Sequence, residues 1–375
     1  MLATGCSTRG EKMLNFRLSL RLNRRIAHKA GGPGAACKLE VARPSPPGTQ
    51  ALEQSAAASP LANTRWTMAY YLIAGASGYV GSRLAERLLA RGHRVRGLVR
   101  TPDSETVEQL AHNGMSVWTG DLTRPESLVG AADGVDYVLN LTSRLVIENG
   151  SLRRTYVDGN QNLIAACSRS RSMRSYLFSS SVAPYGHTGE TLVSEDHPVA
   201  PSYPLGEVLA EAERTILRVA REHRFPAIIL RLASIYGPGR DPVEAVASGV
   251  TTIYGDGRNY VSYIHIADLL EVLERIPAEG QPGALYNVGD DEPLRQIELY
   301  AEVRQRLGMV PPRTVSPATA LAAGLDPNVV GMLSASVRLD NSRLKHDLAI
   351  TLSYPSLRAW LDERLPVGES ISVGA

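Results

Sequence analysis

Three glycines spaced three residues apart stand in the run Tyr71-Leu72-Ile73-Ala74-Gly75-Ala76-Ser77-Gly78-Tyr79-Val80-Gly81, between an apolar stretch and an amphipathic one. A strand, a glycine turn and a helix start in that order make an anion site. The helix offers N–H groups that lack carbonyl partners of its own, and missing side chains let a phosphate reach them. Gly75 would permit the tight turn, Gly78 the approach of a pyrophosphate and Gly81 the packing of helix on strand, with Ser77, Tyr79 and Val80 beside them. The chemistry this implies is dinucleotide binding.

The next two strand ends refine that expectation. Arg96-Gly97-Leu98-Val99-Arg100-Thr101 has no carboxylate where an NAD-selective site sets one against the ribose 2′-hydroxyl. Arg100 suits a 2′-phosphate, which favours NADP(H) over NAD(H), or is a solvated strand-end residue. Gly120-Asp121-Leu122 brings Asp121 and Leu122 to the adenine, with Asp121 accepting from the amino group or capping a helix expected near Pro125. Further on, Ser179-Ser180-Ser181 ends a strand in three hydroxyls that could line a substrate site or bond to neighbouring backbone. Ser181 and Tyr185 are the candidates for proton handling, and His265, at an expected helix start, reads more readily as a cap or packing residue.

The elements that must hold these residues follow from periodicity. Short apolar runs at 70–74, 94–99, 116–118, 136–141, 175–179 and 227–232 alternate with amphipathic stretches such as 80–90, 152–168 and 206–222. Strand and helix in alternation build an α/β fold, a doubly wound parallel-sheet Rossmann fold, followed by a small C-terminal substrate lobe. The expected division is a dinucleotide-binding domain at 68–240, a lobe at 241–365 interleaved with the Rossmann core, and a flexible tail at 366–375. No internal repeat is visible.

The net charge of +2 conceals a split, because the first 67 residues hold ten of the 40 Lys/Arg and only three of the 38 Asp/Glu. That basic, Ser/Ala/Gly/Pro-rich leader reads either as an organelle transit peptide or as an over-extended start ahead of Met68. A cytoplasmic location, or an organelle matrix if the leader is a transit peptide, is the matching expectation. The remainder is mildly acidic, which argues against a nucleic-acid partner. Its apolar runs fall short of the roughly 18 residues of a membrane span. Cys6, Cys37 and Cys167 allow neither a disulfide framework nor a zinc spacing.

From about Tyr70 to Arg364 the chain resembles the extended and atypical short-chain dehydrogenase/reductase superfamily, of the NAD-dependent epimerase/dehydratase type. The marks are the glycine run, Asp121-Leu122, Ser179 to Gly186, Arg231-Leu232-Ala233-Ser234-Ile235-Tyr236-Gly237-Pro238-Gly239-Arg240, Ile264-His265-Ile266-Ala267-Asp268 and Tyr286-Asn287-Val288-Gly289. The late Asn341-Ser342-Arg343-Leu344 segment is similar to the YeeZ-like subgroup. The resemblance implies a nicotinamide cofactor, a small hydroxyl- or carbonyl-bearing substrate near Ser181, and a homodimer through two helices of the Rossmann face. It also implies a Tyr-x-x-x-Lys pair, in which the ammonium lowers the phenol pKa. Here Leu205 and Leu209 take those places, and no lysine occurs between Lys38 and Lys345. Tyr203, with Glu207 four residues on, is a poor substitute. Val261 stands where sugar-nucleotide enzymes of the family carry an arginine, although Arg240 and Arg258 are near in sequence.

The expectation drawn from these residues is an NAD(P)-binding oxidoreductase or epimerase lacking the usual dyad. The alternative is a catalytically silent NADP(H)-binding protein.

Overall fold

A computed structural model describes residues 68–143, 151–170, 172–247 and 252–365. The basic leader and the tail lie outside them. Seven strands, β1 (Tyr70–Ala74), β2 (Arg94–Val99), β3 (Ser116–Thr119), β4 (Tyr137–Asn140), β5 (Ser175–Ser181), β6 (Ala227–Leu232) and β7 (Leu285–Val288), form one parallel sheet. Its order is β7-β6-β5-β4-β1-β2-β3. The chain runs outward one way from β1 and then returns to start the other way at β4, which opens a crevice at the carboxyl ends of these two neighbours.

Both faces of the sheet are covered, so its central strands are apolar at nearly every position rather than alternating with polar residues. Tyr71 and Ile73 of β1 point into one apolar layer, with Leu84, Ala85 and Leu88 of α1 (Tyr79–Ala90) and Val107 and Leu110 of α2 (Glu105–His112). Tyr70, Leu72 and Ala74 point into the other, shared with α3 (Gly159–Cys167) and α4 (Pro204–His223). One further helix, α5 (Ile266–Glu279), completes the first layer. An ion cluster fastens α5 to the glycine-turn helix: Glu274, fully buried, accepts from Arg87 Nε at 2.7 Å and Arg91 Nη1 at 2.6 Å.

All six expected strands are present within a few residues. The departures are instructive. β5 runs on to Ser181, so the serines belong to the strand. The seventh strand and α5 come from within the stretch expected to form the lobe, because Leu285–Val288 pairs with β6 along the open edge. The helix expected over 152–168 is broken by a π-helical stretch, Arg154–Asp158, ahead of α3. The helix expected near Pro125 is a single 3₁₀ turn, Pro125–Leu128. What remains as a lobe is small and held by two satellite apolar clusters, one around Tyr236, Leu299 and Trp360 and one around Tyr254, Ala320 and Val330. Its helix Pro327–Ser334 lies against the start of α4. Among the described residues, no helix is long and apolar enough to cross a membrane.

Candidate cofactor and substrate site

Gly75 leaves β1 at a φ of 85°, a left-handed conformation that disfavours a side chain, and a Cβ there would lie 3.0 Å from the Leu141 carbonyl oxygen at the end of β4. At Gly81 a Cβ would lie 2.2 Å from Gly75 O, so α1 can approach the turn only because Gly81 has no side chain. Gly78 is the N-cap of α1, and no side chain caps that end. Ser77 and Gly78 are exposed, Tyr79 and Val80 half-buried. The result is an open cradle with the first-turn N–H groups of a twelve-residue helix at its floor, which fits a phosphate group.

At the adenosine end, Arg100 is exposed and electrostatically coupled to Asp121. Burial alone would raise the Asp121 carboxyl, but hydrogen bonds from Thr123 N and Oγ1 and the charges of Arg100 and Arg124 outweigh it and hold the group below the usual carboxylate range. Asp121 therefore organises its own turn. Leu122 is a core side chain packed beneath Gly159 and can meet a ligand only through its backbone.

Two strands along, roughly 10 Å from the glycine turn at ordinary strand spacing, β5 ends in the serines. They divide. Ser179 Oγ donates to Asn140 O at 3.0 Å, and Ser180 Oγ donates to the buried Glu213 carboxylate, which also takes Arg231 Nη2 at 2.7 Å. Ser181 is half-buried; its Oγ accepts from Ala183 N at 3.1 Å and retains its proton for a ligand. Thr142, half-buried at the crevice with its hydroxyl donating to Asn140 Oδ1 at 2.7 Å, is a lining residue the sequence reading did not single out. Its only signal is its place just past a strand end.

Tyr185, expected as a proton-handling residue, lies in the interior rather than at the crevice surface. It is 1% exposed, and its hydroxyl donates to Asn287 Oδ1 at 2.8 Å and Ser194 O at 3.1 Å. Burial pushes its phenol up, only partly offset by the Arg231 guanidinium 4.4 Å from the ring centre. His265 caps α5, Nδ1 accepting from Ala267 N at 3.2 Å, and burial lowers its pKa to about 4. The capping role expected of it is the one observed.

Leu205 and Leu209, expected at the places of the Tyr-x-x-x-Lys pair, are both buried, at 6% and 3% exposure, in the apolar layer beneath α4. Gly206 lets this helix start close against the turn after β5; a Cβ there would lie 2.5 Å from Ala183 O. From the lobe, Asn328 Oδ1 accepts from Leu205 N at 2.6 Å, and Gly331 packs against the Tyr203 ring. Tyr203 is pushed up to about 12 by burial rather than by Glu207. Leu205 and Leu209 carry no titratable group, and Tyr203 is a buried, weakly acidic phenol that keeps its proton at neutrality.

A cavity of about 440 Å³ lies between the segment after β5 and the lobe, lined by His187 and Glu190 on one side and Tyr254, Asp256, Arg258 and Ser334 on the other. Arg258 faces a mixed rather than a uniformly basic wall, and Glu190 is paired with Arg295 at 2.6 Å. Val261 is half-buried on a short strand.

A family profile described as the NAD dependent epimerase/dehydratase family matches residues 71–289. The chain belongs to the NAD-dependent epimerase/dehydratase family. Family relatives include a dTDP-glucose 4,6-dehydratase of Streptomyces niveus, 24% identical over 260 residues, covering 63% of this chain and 77% of that protein. A trifunctional UDP-glucose 4,6-dehydratase/epimerase/reductase of Arabidopsis thaliana is 23% identical over 265 residues, covering 64% of this chain; the chain spans only 40% of that protein's length. Among solved structures, a functionally unknown conserved protein of Silicibacter pomeroyi is 29% identical with a TM-score of 0.62, covering 79% of this chain and 97% of the other. A dTDP-glucose 4,6-dehydratase of Streptomyces venezuelae with NAD bound shares the fold at a TM-score of 0.66 and 20% identity, covering 79% and 95%.

Proposed function

We propose that this epimerase/dehydratase-family chain binds NADP(H) in the Gly75-Gly78-Gly81 cradle and acts on a small hydroxyl- or carbonyl-bearing compound, such as a sugar derivative, held near Ser181. The observation that carries the reading is the cradle: three glycines whose side chains would collide or strain, opposite an uncapped helix end, with relatives of the same fold that hold NAD. Arg100, exposed beside Asp121 with no carboxylate in the ribose position, supports the phosphorylated cofactor. When bound, a nicotinamide supplies hydride acceptance or donation.

The chain's own residues then have two tasks. Ser181, with its free hydroxyl proton, orients and polarises the substrate oxygen, and Thr142 lines the same crevice. General acid–base help of the usual kind is missing, since Leu205, Leu209 and Tyr185 offer no accessible proton, which costs about 10²–10⁴ in rate. Turnover is expected to be slow.

A second reading, a catalytically silent cofactor-binding protein, is favoured by one observation: the dyad positions are filled with core leucines and clamped by Asn328. The two separate experimentally. NADPH, NADH, NADP and NAD are titrated calorimetrically against the full chain, and small carbonyl compounds and sugars are then scanned for oxidation of the bound reduced cofactor. Tight NADPH binding with slow turnover that falls in Ser181→Ala is the expected result. Binding without turnover would leave the silent reading standing, tighter NADH than NADPH would remove the role given to Arg100, and no binding at all would remove both readings.

A further inference from the structure

The cradle carries an attachment from a distant part of the chain. Tyr79, the first residue of α1, donates its hydroxyl to Pro238 O at 2.9 Å, which seats the 237–240 turn on the helix start. The turn is tight: Arg240 N donates to Gly237 O at 2.8 Å, and Gly237 and Gly239 have φ of 126° and 82°. Arg83, one helical turn beyond Tyr79, sets its guanidinium 4.1 Å from the Tyr79 ring centre while donating to Tyr79 O at 3.0 Å and Pro238 O at 3.4 Å. The Arg240 guanidinium lies 4.3 Å from the same ring centre.

Two cations thus share one phenol at the helix end that already carries partial positive charge. Neither has a carboxylate partner among the described residues, although paired arginines are common elsewhere in the molecule. They differ in what they have left to give. Arg83 is committed to two carbonyls, whereas the Arg240 guanidinium makes no hydrogen bond to any described residue. A like-charged pair with one member unspent is repulsive until an anion joins it.

We propose that Arg240 is a ligand of the cofactor diphosphate, with Tyr79 and Arg83 as positioning residues that hold its turn against the glycine cradle. The proposal rests on the reading of that cradle as a dinucleotide site. A helix end supplies only about half a unit of charge, and Arg240 adds a full one with a planar fork of donors suited to phosphate oxygens. It would also tie cofactor binding to the segment that leads from the sheet into the lobe.

Calorimetric titration of the full chain with NADP, ADP and adenosine, in wild type, Arg240→Gln and Arg240→Lys, tests this. Arg240→Gln should weaken NADP and ADP by about 10-fold or more, leave adenosine within about twofold, and keep the wild-type melting temperature. Arg240→Lys should recover part of the loss. A charge-dependent grip should also fade as salt rises, so the gap between wild type and Arg240→Gln narrows at high ionic strength. Unchanged ADP affinity in Arg240→Gln, or an equal loss for ADP and adenosine, would overturn the assignment. Failure of wild type to bind NADP and ADP would instead overturn the cradle reading on which it stands.

Discussion

The glycine turn and the start of α4 lie on the same carboxyl edge of the sheet, yet they are built in opposite ways. At the turn, side chains are absent where atoms would collide, and polar backbone is left facing outward. At the start of α4, side chains fill the space: Leu205 and Leu209 are buried, Gly206 draws the helix onto the Ala183 carbonyl, and Asn328 and Gly331 close it from the lobe. The contrast shows that two places on one sheet edge can be built in opposite ways, one open to a ligand and one packed as core, because they depend on different strand ends.

The comparison can be broken most severely underneath the serine and leucine region. Glu213→Ala would strand the buried Arg231 guanidinium and the Ser180 hydroxyl, at a cost of about 3–5 kcal/mol. Chemical denaturation measures it, and a loss under 1 kcal/mol would show that the cluster relaxes. Restoring the dyad with Leu205→Tyr and Leu209→Lys should cost about 2–4 kcal/mol, from overpacking and from an ammonium placed in an apolar layer, with no gain in turnover. A double variant of wild-type stability with faster turnover would mean a vacated site, not a core.

At the other region, Gly81→Ala should destabilise by about 1–3 kcal/mol and sharply reduce NADP affinity, since the new Cβ would sit 2.2 Å from Gly75 O. Near-normal binding would show that the turn can yield. Removing the lobe clamp with Asn328→Ala should cost about 1 kcal/mol, the usual worth of a helix cap, and leave NADP binding intact. Loss of binding there would join the two regions after all.

The smallest effect concerns the far end of the same edge. Asp290, 1% exposed just past β7, is pushed up to about 8, chiefly by burial. The folded protein holds a proton that the unfolded chain releases near 3.8, so this group's stabilisation is complete at low pH and is lost as pH rises through about 8. His265, lowered to about 4, has no part in that upper window. Asp290→Asn should therefore flatten the fall in melting temperature between about pH 6.5, where the His265 contribution ends, and about pH 8, where the fall itself ends, and an unchanged slope there would assign the fall elsewhere.

Much of this was legible before any coordinates. The strand–turn–helix run around Gly75 is local, so the sheet's first βα unit and the close approach at its glycines could be read from type and spacing. Tyr185 and the serines could not be sorted that way. Their hydroxyls look equivalent in sequence, and only the partners supplied by Asn287, Ser194, Asn140, Glu213 and Ala183 separate the committed ones from Ser181. β7 escaped notice because four residues give too short a pattern, and its identity as a strand comes from β6 beside it.

The sequence by itself determined the Rossmann architecture and the glycine run of the cradle, because each strand, turn and helix start depends on residues within a few positions of one another. The tertiary structure decided which hydroxyl is free, that Leu205 and Leu209 belong to the core, and that Arg240 lies on Tyr79. Contacts such as Ser180 with Glu213 and Tyr79 with Arg240 join residues far apart in the chain, and only packing can bring such partners together.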